Sequence, residues 1–523
     1  MSLQQFLEEQ NHTIAKLYRE YAEASWNTST TGDEKWQQTT VERGVAIKSY
    51  FSNSELYTTV KEYLALENLD PLHKRQLQLL LSNLVENQLP EDVLRRMVEL
   101  STELNSTFNL FRAEINGEKV SENEIRQILI SSNDLEKRKE AWEASKQIGS
   151  VVAKKVVALV KMRNEAAKQF GFDNHHDMAF QLNELDRDQI FSMFKSLKEQ
   201  SDSAFKKVKA EMDEELAERF GIAVAELRPW HYGDPFFQEA PPSKDLNLDQ
   251  YFEGRDIEAI TVRTFEAMGL EITDLLEKSD LYPRDKKNQH AFMSNINREG
   301  DIRVLCNIND SEYWMTTMLH EYGHAVYDKY VDPNLPFMLR NYAHILSTEG
   351  IAMFFGRMSK YPEWLQKFVG IEEKEIAELT PKLAKMLQRQ MLISARWIMT
   401  FVFFERELYE NPDQDLNSLW WKIVQEVQFV NPPENRNEPD WAAKIHFTIA
   451  PVYYQNYLLG ELTASQLQQF IETNVSEQLY TPEVGSFLKE QFFFHGARFH
   501  WNDKIEKVTG EKLNPKHFVK QFM

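Results

Sequence analysis

Residues that interrupt regular structure are scarce in this chain: 18 glycines and 18 prolines are spread over 523 positions. A protein built from strands needs a punctuating residue at nearly every strand end, so the scarcity argues for long helices and few hairpins. The helices show as apolar residues at three- and four-residue spacing among charges over Leu72 to Leu84, Glu91 to Leu104, Asp134 to Gln169 and Asp188 to Phe220. Pro90 separates the first two. Further breaks are expected at Arg228 to Lys244, Tyr282 to Asn288, Asp332 to Pro336 and Asn431 to Trp441, all of which contain proline. No fixed-period repeat and no Gly/Ser-rich linker divides the chain. The expected fold is therefore mainly α, with residues 1–110 forming an N-terminal helical lid or wall and residues 111–523 forming the region that carries the motifs below, continuous with it.

Composition narrows the partners. Hydrophobic residues make up 42% and aromatic residues 12%, a globular profile. The balance of 60 basic against 81 acidic residues, a net charge of −21, repels nucleic acid and anionic lipid, and neither is an expected partner. Cys306 has no second cysteine to pair with, and it reads as a small buried hydrophobe in the strand-like run Ile302 to Ile308. The opening MSLQQFLEEQNHT lacks a basic stretch followed by an apolar one, so no signal peptide is expected and the location reads as cytoplasmic. The greasiest stretch, Trp397 to Phe404, is far shorter than the roughly 20 apolar residues of a membrane helix.

The exception to helix is HAFMSNINREGDIRVLCNI, His290 to Ile308, where two apolar runs flank Asn297-Arg298-Glu299-Gly300 and predict a β-hairpin. A helix over residues 310–327 follows, capped by Asp310 or Ser311 and carrying HEYGH. His320 and His324 stand four residues apart, so both rings leave one face where they can converge on one Zn²⁺ at about 2.0 to 2.1 Å. With 13 histidines and 81 acids, a His-acid-x-x-His pattern arises by chance about 0.05 times in a chain this long. A catalytic zinc site needs a third protein ligand and an open position. Glu349 is the candidate, because it lies in the apolar stretch Tyr342 to Met358, where a carboxylate without a cation is costly to bury. The break at Asp332 to Pro336 lets the two helices pack antiparallel. Zn²⁺ lowers the pKa of a bound water towards about 7, so Glu321 on the neighbouring face can take its proton and pass it to a leaving amine.

These residues, with LPFMLRNYAHILSTEGIAMFFG, FVNPPENRNEPDWAAKIHFTIAPVYYQNY and the terminal KVTGEKLNP in the same order, resemble the gluzincin peptidases of the angiotensin-converting-enzyme family. The thimet oligopeptidase and oligoendopeptidase F family is similar too. The likeness runs from about residue 110 onward, while the first hundred residues rest on helical patterning. It implies two helical halves around a deep channel too narrow for folded proteins, and one zinc ion per chain. It also implies roles: Lys444 as anchor for a substrate C-terminal carboxylate, His446 beside the scissile bond, Tyr457 as oxyanion donor, His290 on the substrate backbone, and Gln238 completing the carboxylate pocket. The spacing from His446 is one residue longer than in the family, which leaves Tyr453 and Tyr454 in competition as the anchor's helper. Four residues after Glu349 the family places an acid that orients a zinc histidine. Here Met353 stands there, so another acceptor must hold the imidazole.

Two functions of different class follow. One is hydrolysis of short peptides, as a peptidyl-dipeptidase if Lys444, Tyr454 and Gln238 form a carboxylate pocket, or as an oligoendopeptidase if they do not. The other is a non-catalytic peptide-binding helical protein with a structural metal, for which Glu321 would have no use.

Overall fold

The long helices begin where a side-chain oxygen can take the unpaired N–H groups of a first turn. In the computed structural model, which describes residues 2–241 and 246–522, Asp70 accepts from Leu72 and His73 ahead of helix Pro71–Glu86. Asp134 does the same for Leu135–Gln169, and Asp186 for Arg187–Phe220. Glu91–Leu110 follows directly on Pro90. All four helices expected from the periodicity are present. The expected breaks are also irregular, with only single turns such as Pro229–His231 and Asp440–Ala443 within them. Residues 242–244 of the first break lie outside the described residues.

The predicted hairpin is formed by β3 (Phe292–Asn295) and β4 (Ile302–Leu305), antiparallel with Phe292 opposite Leu305 and Asn295 opposite Ile302. Asn297 closes its turn by accepting from the N–H groups of Glu299 (2.8 Å) and Asp301 (3.1 Å). Just beyond β4, Cys306 is fully buried and burial pushes its thiol up, as expected of an inert cysteine. A second hairpin, β1 (Ala113–Ile115) with β2 (Glu118–Val120), was not anticipated. Its signal is Asn116-Gly117, both at positive φ (53° and 84°), the two-residue turn that suits a right-twisted strand pair. Among the described residues these are the only sheets, and the fold is mainly α. Trp397 to Phe404 falls inside helix Glu373–Glu410, and no described helix is long and apolar enough to cross a membrane.

The chain forms two compact units, each assembled from separated segments. The first comprises Met1–Gln88, Asn247–Leu383 and Leu459–Phe518; the second comprises Leu89–Leu246, Ala384–Leu458 and Val519–Met523. Within the first unit, helix Leu3–Thr31 buries Phe6, Leu7 and Ile14 among Leu77, Leu80, Leu84, Phe337 and Met338. Trp26 at the other end of that helix packs on Ile296 and Leu305 and so seats the hairpin. In the second unit, Trp142 is fully buried with Ile125, Leu129 and the half-buried Trp230 and Trp421, a site where truncation to alanine costs about 3–5 kcal/mol.

Candidate metal centre and the tyrosine loop

HEYGH lies on helix Glu312–Lys329, hereafter the HEYGH helix, and Ser311 rather than Asp310 caps it. Asp310 instead accepts the Gly254 N–H at 3.0 Å. The buried stretch after the Asp332–Pro336 break forms helix Ile345–Gly356, the glutamate helix. What lets the two approach is Gly323, between the two histidines. A Cβ there would lie 3.0 Å from the Ala352 Cα and 3.1 Å from the Phe355 ring. From the other side Gly460 meets the Glu349 Cβ, 2.9 Å from where its own Cβ would stand. The glutamate helix is thus held in close approach by glycine contacts at Gly323 and Gly460.

One donor atom from each of His320, His324 and Glu349 falls within a cluster no more than 4.8 Å across. The His320 Nε2 to Glu349 Oε2 separation is 3.8 Å. Donors 2.0–2.1 Å from one tetrahedral ion stand about 3.3 Å apart, so small side-chain rotations close the group on a metal. The second acceptor demanded by Met353 is Thr348, whose Oγ1 lies 2.6 Å from His324 Nδ1. With that nitrogen donating to the hydroxyl, the Nε2 lone pair is left for the ion. Nothing in the spacing pointed to Thr348; its only signal is its place next to Glu349.

Electrostatics favour a cation here. Burial lowers His320 to about 4, and burial with His320 nearby holds His324 well below its ordinary value. Burial raises Glu349 to about 7, and burial with the neighbouring Glu349 raises Glu321 to about 8. The site thus offers neutral imidazole lone pairs and carboxylates whose charge lacks compensation, which is the donor set zinc requires. Glu321 is buried beside the ligands and accepts the N–H of Met293 from β3, which fixes its carboxyl. His290, two residues before β3, is exposed, and its N–H donates to Asn288 Oδ1 at 3.0 Å.

The second unit gathers the other expected residues. Asp234 accepts the N–H groups of Phe236, Gln238 and Glu239, a tie the sequence reading missed although Gly233-Asp234-Pro235 is a turn signal. The loop so held presents Gln238, whose Oε1 accepts from Lys444 Nζ at 2.7 Å. The ammonium stands 5.2 Å from the Trp397 ring, 5.6 Å from Phe236 and 5.9 Å from Tyr454. Burial lowers Lys444 to about 8, against the pull of Asp234, Glu122 and Glu239. Tyr454 is central: its hydroxyl accepts from Trp397 Nε1 at 2.8 Å, and its ring lies 5.0 Å from His446 and 5.4 Å from Tyr457. Tyr453 packs on Tyr457 at 5.5 Å. Asn456, beside Tyr457 in the chain, is buried. Burial and Lys444 lower His446 to about 4, so its ring is neutral.

Parts of the chain are similar to known proteins. Residues 1–229 match the family model for angiotensin-converting enzyme, and residues 276–523 match that for peptidase family M3. Carboxypeptidase 1 of Bacillus subtilis (strain 168) is 24% identical over 262 residues, covering 44% of this chain and 51% of that protein. The chain therefore spans about half the length of this curated relative. Family models match on both sides of residue 250, and the helix-borne HEYGH with its later glutamate lies under the second of them, so the chain is similar to the gluzincin metallopeptidases of the angiotensin-converting-enzyme and M3 type.

Proposed function

We propose that the chain hydrolyses peptide bonds in short peptides, with His320, His324 and Glu349 holding zinc and Glu321 acting as general base. The observation carrying this reading is the convergence of the three donors with Glu321 buried against them. A purely structural metal has no use for that fourth carboxyl. When bound, zinc supplies Lewis acidity, making a water at its open position more acidic and polarising the scissile carbonyl. Glu321, raised to about 8 before any cation is bound, accepts the water's proton on its carboxylate and returns it to the amine nitrogen as the bond breaks. By the resemblance, Tyr457 donates to the developing oxyanion and His446 contacts the scissile region. Peptides presented as extended strands suit His290 and the edge of β3.

The grouping of Lys444, Gln238 and Tyr454 favours recognition of a free C-terminal carboxylate, and the family resemblance adds release of dipeptides as the matching reaction. The name of the Bacillus subtilis relative, a carboxypeptidase, points to the same end of the substrate. The net charge of −21 supports peptide over nucleic-acid or anionic-membrane partners, and a cytoplasmic location accords with the single buried cysteine.

Mass spectrometry of products from a mixed peptide library, with and without a chelator, tests the reading. Cleavage is expected and the chelator should abolish it; equal cleavage with the chelator would sink the zinc mechanism. C-terminal dipeptides released only from free acids support the carboxylate pocket, whereas internal cuts indifferent to amidation favour an oligoendopeptidase.

A further inference from the structure

Between His446 and Tyr457 the backbone contains an anomaly: Val452 sits at φ +53°, a left-handed conformation that a β-branched residue adopts only under constraint. Both of its peptide groups are tied. Its N–H donates to Glu405 Oε1 at 2.9 Å, and its carbonyl accepts from Gln455 Nε2 at 2.7 Å. Glu405 belongs to helix Glu373–Glu410 and is 1% exposed, and nothing in the proposed chemistry uses it. An acid so buried is costly unless it serves a partner. The start of the same stretch is held from helix Leu135–Gln169, where Arg163 donates to the carbonyls of Phe447 (2.9 Å) and Thr448 (2.7 Å). Arg163 also donates to the Tyr409 hydroxyl at 3.1 Å, one turn beyond Glu405. The chain from His446 to Tyr454 is thus strapped at one end by a buried cation and at the other by a buried carboxyl. The hand of φ at Val452 sets the direction of everything after it, and Tyr454 follows two residues later.

We infer that Glu405 is a positioning residue: by holding Val452 left-handed it aims the Tyr454 hydroxyl at Trp397 and sets the register in which Tyr457 faces its target. The inference rests on the proposed roles of Lys444, Tyr454 and Tyr457, and it adds the part that fixes them. Burial raises Glu405 to about 8, so the neutral acid predominates near pH 7 and glutamine is a close replacement that keeps the acceptor. Glycine reaches φ +53° without strain and needs no tie.

The test compares full-length E405L, E405Q and the double variant E405L/V452G, each loaded with zinc. E405L is expected to lose about tenfold or more in kcat, and to lose its preference for free-acid over amidated peptides, because displaced donors act weakly. E405Q should keep both properties, and V452G should restore most of what E405L loses. A merely structural Glu405 would lower the Tm of E405L while leaving kcat and the preference intact, with no rescue by V452G; that pattern overturns the inference. If E405L does not fold, Q455M removes the other tie and is read the same way. A crystal structure of E405L, or of Q455M in its place, needs no activity. Relaxation of Val452 to negative φ with loss of the Trp397–Tyr454 hydrogen bond supports the inference, and retention of both overturns it. A wild-type chain that cleaves no peptide would sink the proposed function but leave this structural arm readable.

Discussion

The metal group and the tyrosine loop are built by opposite means. His320, His324 and Glu349 ride on two helices whose own backbone hydrogen bonds hold them, brought together because Gly323 and Gly460 carry no side chain at the contacts. Lys444, His446 and Tyr454 ride on a stretch with only the turns Asp440–Ala443 and His446–Ile449 as regular structure. That stretch recruits Arg163, Glu405 and Gln455 to satisfy and steer its backbone. A helix positions donors at little cost in buried polar groups, while a loop needs a buried tie at nearly every bend. The first group should therefore tolerate loss of any single hydrogen bond better than the second.

The sharpest cut through this contrast is E321Q, which leaves the helix pair untouched: zinc content by elemental analysis should remain at one per chain while kcat falls about 10²–10⁴-fold. Full activity would break the assignment. Y457F, on the loop side, should lower kcat about 10²–10³-fold with little change in KM, as expected for a donor acting only on the oxyanion. T348V removes the hydroxyl beside His324 and should weaken zinc about 10–100-fold in chelator competition, with kcat at saturating zinc much less affected. K444M should raise KM for free-acid peptides about 10–100-fold and leave amidated ones unchanged. The smallest effect is in pH. The Lys444 ammonium exists below its lowered value of about 8 and is lost above it, so KM for free acids should climb as pH passes about 8 while KM for amides stays level. Parallel curves for the two substrates would separate Lys444 from carboxylate recognition.

The helix-borne half was legible because helical geometry converts sequence spacing into space. His320 and His324 at i and i+4 must share a face, and an apolar helix must find some use for Glu349. The hairpin before them was legible from its two apolar runs around a turn. The loop-borne half was not derivable from spacing: Lys444, His446 and Tyr457 were reachable only through resemblance, since no period relates a loop residue to its neighbours in space. Thr348 was invisible because the side chain it orients is supplied by another helix. Glu405 and Arg163 were invisible because charged residues inside long amphipathic patterns read as solvated, yet both are buried. The short hairpin at Asn116-Gly117 was a missed local signal, not a missing one. The first hundred residues, assigned from helical patterning alone, fall within the angiotensin-converting-enzyme match.

Thr348 and Glu349 are consecutive, so the residue that steadies one imidazole and the residue that completes the cage belong to a single rigid part. Any lesion that slides or rotates this helix, even one that replaces no donor, such as a bulkier residue at Gly350 against Thr463, disturbs ring orientation and coordination together. Metal occupancy in such variants should fail abruptly rather than by degrees, because a shift of the helix moves both supports together.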